Sequence, residues 1–87
     1  MTKVYLKKDK FGNIRWYKEG TSLLHREDGP AVENANGSKY WYQNGKCHRT
    51  DGPAIEWFNG HKEYWLNNIW YPNIQINKEW IIFQIIN

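Results

Sequence analysis

The sequence holds one cysteine, three prolines and three alanines, and its scarcities exclude more than its abundances assert. A single thiol, Cys47, permits no intrachain disulfide, so a secreted disulfide-stapled scaffold is excluded and a reducing cytoplasm is the expected setting. The same lone cysteine removes zinc sites that need cysteine pairs. Apolar runs are short: the longest is Trp80 to Phe83, and residues 1–8 contain no signal-peptide core, so a soluble chain with no membrane contact is expected. No dinucleotide fingerprint, phosphate loop or nucleophile elbow occurs, and the glycines read as turn glycines. No cofactor and no enzymatic activity are expected.

What the sequence does have is aromatic residues and a repeat. Six Trp, six Tyr and three Phe stand among 87 residues, and the chain should form a single domain whose core rests on large rings. Charge is modest, +3 overall, but unevenly spread. Residues 1–20 carry Lys3, Lys7, Lys8, Lys10, Arg15 and Lys18 against Asp9 and Glu19, whereas residues 51–87 carry Lys62 and Lys78 against Asp51, Glu56, Glu63 and Glu79. The basic end can steer an anionic partner.

His25-Arg26-Glu27-Asp28-Gly29-Pro30-Ala31 recurs 23 residues later as His48-Arg49-Thr50-Asp51-Gly52-Pro53-Ala54, with six of seven positions identical. The same offset carries Asn36-Gly37 onto Asn59-Gly60 and Asn44 onto Asn67. A repeat at fixed spacing is the signature of stacked supersecondary units. The chain divides into a degenerate unit at 1–24, repeats at 25–47 and 48–71, and a C-terminal cap at 72–87, the outer units being atypical as caps of repeat arrays are.

Runs rich in Tyr, Trp, Val and Ile are cut by Asn-Gly and related pairs, the strongest hairpin signal because type I′ turns need positive φ. Strands are expected at 3–7, 14–18, 21–25, 31–33, 38–43, 46–49, 54–58, 61–66 and 69–71. The fold class is therefore mainly all-β, an antiparallel meander of tandem hairpins. In the tail, Asn77 as N-cap with Trp80, Phe83 and Ile86 at three-residue spacing predicts a short helix across the open end of the sheet, although four isoleucines there favour strand.

His25, Arg26 and Asp28, with His48, Arg49 and Asp51, are the polar residues whose placement looks deliberate. A His with an Asp is the pattern of a general base or of metal ligands. Repetition argues otherwise: a catalytic set is needed once, whereas a fold-building motif recurs in every unit. Asp accepts backbone N–H groups, Gly29 and Gly52 take conformations others resist, Pro30 and Pro53 fix φ, and His and Arg tie adjacent hairpins together. No metal site is expected. Cys47 beside His48 resembles an activated thiol pair, but adjacent strand residues point to opposite faces, which predicts an inert thiol.

Binding is the remaining function class. Lys8, Lys10, Arg15, Trp16, Tyr17 and Trp41 are the candidate contact residues. Trp, Tyr and Arg dominate protein interfaces, and an exposed strand edge could serve the same end or join two copies as a homodimer. The same basic aromatic hairpin could instead hold RNA or another single strand, cations on phosphates and rings on bases.

The stretch Tyr40 to Ala54, Tyr-Trp-Tyr-x-Asn-Gly-Lys-x-His-Arg-x-Asp-Gly-Pro-Ala, resembles repeats of small bacteriophage and giant-virus proteins. It is similar to the MORN-variant repeats of the YwqK-type antitoxin family over about residues 14–71. Ten Asn, nine Ile and nine Lys also point to an AT-rich coding sequence, as in many bacteriophage genomes. The resemblance implies an all-β hairpin array without catalysis, and a phage-encoded inhibitor or modulator of a host protein such as a toxin or defence nuclease. RNA binding and a self-assembling structural role are the alternatives. The pattern departs at two extra residues before His25 and at Asn67-Asn68-Ile69-Trp70, where the array stops.

Overall fold

The computed structural model describes residues 2–72, and over these it is an antiparallel, hairpin-built all-β protein without a helix. The expected helix at the C-terminus lies outside the described residues.

Two strands are long. β1 (Val4–Lys8) and β2 (Ile14–Lys18) pair in register from Val4↔Lys18 to Lys8↔Ile14. The others have two residues each: β3 (Val32–Glu33), β4 (Lys39–Tyr40), β5 (Tyr42–Gln43), β6 (Lys46–Cys47), β7 (Ile55–Glu56), β8 (Lys62–Glu63), β9 (Trp65–Leu66) and β10 (Ile69–Trp70). They form a six-stranded sheet in the order β1-β2-β3-β4-β7-β8 and two separate hairpins, β5–β6 and β9–β10.

The expected continuous strands at 38–43 and 61–66 are each broken in the middle, at Trp41 and at Tyr64, which the 23-residue offset equates. Hydrogen bonding explains the first break. Trp41 N donates to Ala54 O in the following unit while Trp41 O accepts from His48 N in its own hairpin. Tyr40 therefore stays in the large sheet against Ile55, and Tyr42 leaves it to pair with Cys47. The expected strand at 21–25 reduces to one bridge, Tyr17↔Leu24, because the Thr21 hydroxyl, bonded to Lys18 O and Leu23 N, turns the chain there.

The repeat closes identical turns. Asn44 (φ 51°) with Gly45 (φ 79°), and Asn67 (φ 47°) with Asn68 (φ 69°), supply the two positive φ values of a type I′ hairpin. Across the large sheet, one face reads Ile14, Glu33, Lys39, Glu56 and Lys62 in successive strands. Opposite charges directly across a ladder favour one register over its neighbours.

Among the described residues the buried apolar side chains are Ala31, Val32, Cys47, Ala54 and Tyr64, so there a single ring joins four small or medium side chains where the composition predicts an aromatic interior. The rings of Trp16, Tyr17, Tyr40, Trp41 and Tyr42 are half-buried rather than enclosed. Burial of that kind is modest per residue at roughly 25 cal/mol per Å², so the hydrogen-bonded motif must carry much of the register.

Candidate functional site

Each motif arginine is held by the same set of contacts. Arg26 Nε donates to Asp28 Oδ1 at 3.0 Å and its Nη1 to Pro30 O at 3.2 Å, while its guanidinium lies 4.6 Å from the centre of the Trp16 ring. Twenty-three residues on, Arg49 reaches Asp51 Oδ1 at 2.8 Å, Pro53 O at 3.0 Å and Glu56 Oε2 at 3.0 Å, and lies 4.0 Å from the Trp41 ring. Gly29 and Gly52 make room for these guanidiniums: a Cβ there would stand 3.0 Å from Arg26 Cζ and 2.9 Å from Arg49 Cζ. Neither glycine has the left-handed φ that the motif suggests. They are needed for closeness.

Histidine closes the other half of the motif. His25 Nδ1 accepts Asn44 N at 2.9 Å and His48 Nδ1 accepts Asn67 N at 3.1 Å, so each ring satisfies the first N–H of the next tight turn. Desolvation lowers the His48 pKa, in keeping with an acceptor nitrogen that must stay unprotonated. The motif's aspartates pair with arginine, not with histidine, so the two groups do not form an acid–base pair. His25 Nε2 faces Glu27 Oε1 at 3.6 Å, and Glu27 also takes Thr2 N at 2.8 Å, which clamps the start of the chain onto the motif loop. Among the described residues no group of three metal-ligating side chains converges. Cys47 is buried, and burial pushes its thiol up to about 12, far from the range of a reactive thiolate.

A groove of about 400 Å³ runs between the two motif loops, lined by Glu27, Asp28, Trp41, His48, Arg49 and Asp51 among others. Its charged groups already have partners: Arg49 has Asp51 and Glu56, Asp28 has Arg26, and Glu27 has Thr2 N and His25.

The basic hairpin is the second candidate. The structure divides the residues that the sequence groups there. Register puts Lys8 and Trp16 on one face of the β1–β2 ribbon and Arg15 and Tyr17 on the other, with Lys10 at the tip. Trp16 and Trp41 each carry an arginine against the ring and are half-buried. Tyr5 and Lys7 join the residues of the hairpin surface. Tyr5 stacks on Tyr17 with centroids 5.4 Å apart, and Lys7 Nζ stands 6.0 Å and 5.7 Å from the two ring centres. Pairing Tyr5 with Tyr17 was readable once the Gly12 turn is placed, since the register follows from it.

Arg15 is tied to Asp9 at 3.5 Å, and Asp9 is held below the usual carboxylate range chiefly by the Asn13 side chain. Lys8 and Lys10 are exposed, and beside them Leu6 and Phe11 are 50 % and 70 % exposed. Cations and apolar side chains thus share one accessible ribbon, a composition suited to a partner that is acidic and partly apolar. No family model matches the chain, and neither a curated protein nor a solved structure matches it.

Proposed function

We infer that the chain is a non-enzymatic binding protein that takes another protein through its N-terminal hairpin. The observation that carries this reading is the exposure of Leu6 and Phe11 beside Lys7, Lys8 and Lys10 on the β1–β2 hairpin and its turn, whose strands are the longest among the described residues. The repeats use their arginines and two of their indoles internally. Their exposed apolar side chains Phe58, Ile69 and Trp70 lie in a stretch, residues 50–72, whose one lysine or arginine is Lys62, so the hairpin is the surface that combines apolar side chains with several cations. The inhibitor role toward a toxin or defence nuclease of a host, in the cytoplasm, is supported by the resemblance of the motif and by the unpaired thiol alone.

A second reading, single-stranded RNA, is favoured by the Tyr5–Tyr17 stack with Lys7 beside both rings. One experiment separates the two. The tagged protein and a Lys7→Glu, Lys8→Glu, Lys10→Glu variant are used to recover partners at low and high salt, with and without ribonuclease, and the recovered protein is purified and titrated. A defined protein that survives ribonuclease and is lost with the triple variant supports the protein-binding reading. Recovery abolished by ribonuclease and falling steeply with salt replaces it with the RNA reading.

A further inference from the structure

β1 ends the six-stranded sheet, so one of its edges faces away from β2. The register identifies the groups along that edge. Asp9 N donates to Asn13 O and Glu19 N donates to Lys3 O, which makes Lys3, Tyr5, Lys7 and Asp9 the residues whose backbone is directed at β2. An antiparallel ladder alternates, so the N–H and C=O groups of Val4, Leu6 and Lys8 are directed outward. The far side of β2 obeys the same parity: Trp16, opposite Leu6, donates its N–H away from β1 to Ala31 O. Thr2, next in the outward row, already gives its N–H to Glu27, so the open stretch begins at Val4. Among the described residues, no backbone group bonds to the outward groups of Val4, Leu6 and Lys8.

We propose that this edge takes an extended acidic segment of a partner protein as a seventh, antiparallel strand. The proposal rests on the protein-binding reading above and names its mode. Five residues of strand supply a row of about 17 Å, enough for three facing residues to exchange backbone hydrogen bonds. Lys7 on one face and Lys8 on the other call for acidic neighbours, and half-exposed Leu6 for a β-branched one. Charge favours an acidic partner over a second copy: two β1 strands paired antiparallel about Leu6 would set Lys8 against Val4 and Lys7 against Tyr5, leaving both lysines without a carboxylate across the ladder. Lysines at a sheet edge keep it from pairing with its own kind. An acidic strand turns the same residues from a barrier into contacts.

The probe is the peptide acetyl-Glu-Glu-Val-Thr-Val-Glu-amide, which in antiparallel register sets Glu against Lys8, Lys7 and Lys3 and Val against Leu6 and Val4. It is titrated into the full chain labelled with nitrogen-15, following the amides of Val4, Leu6 and Lys8. Two N-methylated forms discriminate the mode. Methyl groups on the first, third and fifth residues block the N–H groups directed at β1, and methyl groups on the other three block only outward ones. The first form should bind at least about tenfold more weakly than the parent, since three hydrogen bonds of about 0.5–1.5 kcal/mol are lost, while the second stays within about threefold. Equal weakening by both patterns, equal binding of the lysine-for-glutamate peptide, or shifts confined to Tyr5 and Tyr17 would overturn strand addition. If the peptide fails to bind while the Lys7, Lys8, Lys10 variant still loses its captured protein, the edge mode falls and the protein-binding reading stands.

Discussion

Gly52→Ala tests the physical reason for the motif. Its φ lies outside the left-handed region, so alanine meets no left-handed backbone strain, and the three atoms nearest the new Cβ all belong to the Arg49 guanidinium, with Cζ at 2.9 Å. To clear it, Arg49 must give up the geometry that reaches Pro53 O, Glu56 and the Trp41 ring. The bond to the carbonyl of buried Pro53 is worth about 1 kcal/mol. The ring contact adds about 0.5–1 kcal/mol. The carboxylate pairs add little, about 0.5 kcal/mol together, because Asp51 is 82 % exposed and solvent screens it. The substitution should therefore destabilise the protein by about 2 kcal/mol, which for a domain of this size lowers the Tm by roughly 8–16 °C. In an Arg49→Ala background the obstacle is gone, and alanine should be neutral or stabilising by up to about 1 kcal/mol through reduced freedom of the unfolded chain. Urea unfolding of the four proteins, followed by tryptophan fluorescence and circular dichroism, gives the coupling directly. A cost that is the same in both backgrounds would refute the claim that arginine is what requires glycine here.

Three further outcomes follow from the same geometry. Stability should fall as pH drops below about 6.5, because His48 has a lowered pKa in the folded state, the unfolded chain binds the proton first, and protonation of Nδ1 would displace Asn67 N; His48→Ala should flatten that part of a stability–pH profile. Cys47, buried and with its thiol raised to about 12, should react with a thiol reagent at pH 8 only at the rate of unfolding, and labelling of the native protein as fast as in denaturant would contradict its burial. Gly45→Ala should destabilise by at least about 1 kcal/mol in thermal unfolding, because Gly45 has φ 79° and a Cβ there would meet Leu23 Cδ2 at 2.9 Å, whereas the equivalent Asn68 tolerates its φ and holds Cys47 N through Oδ1.

The 23-residue repeat and its turns are legible in the chain because Asn-Gly and Asn-Asn report a local backbone requirement, positive φ, that few residues meet. The hairpin character follows from them without reference to any distant contact. The motif is legible as a unit, and its arginine, aspartate and proline do meet within it. Its partners are not. Trp16 and Trp41 come from earlier in the chain and lie under Arg26 and Arg49, a relation that depends on how one hairpin stacks on the next. For the same reason both indoles read from sequence as free contact rings, while Tyr5 and Lys7, which the register brings beside Tyr17, went unselected.

Sequence alone determined the hairpin order, the two motif copies and the basic character of the first ribbon, since each rests on residues near one another in the chain. Tertiary structure decided which sheet each short strand joins, where Trp41 and Tyr64 interrupt them, and that mostly small residues are buried among the described residues. It also decided that β1 stands at an end of the six-stranded sheet. Those outcomes depend on backbone groups shared between units, and a donor such as Trp41 N can reach Ala54 O only after the neighbouring repeat has folded against it.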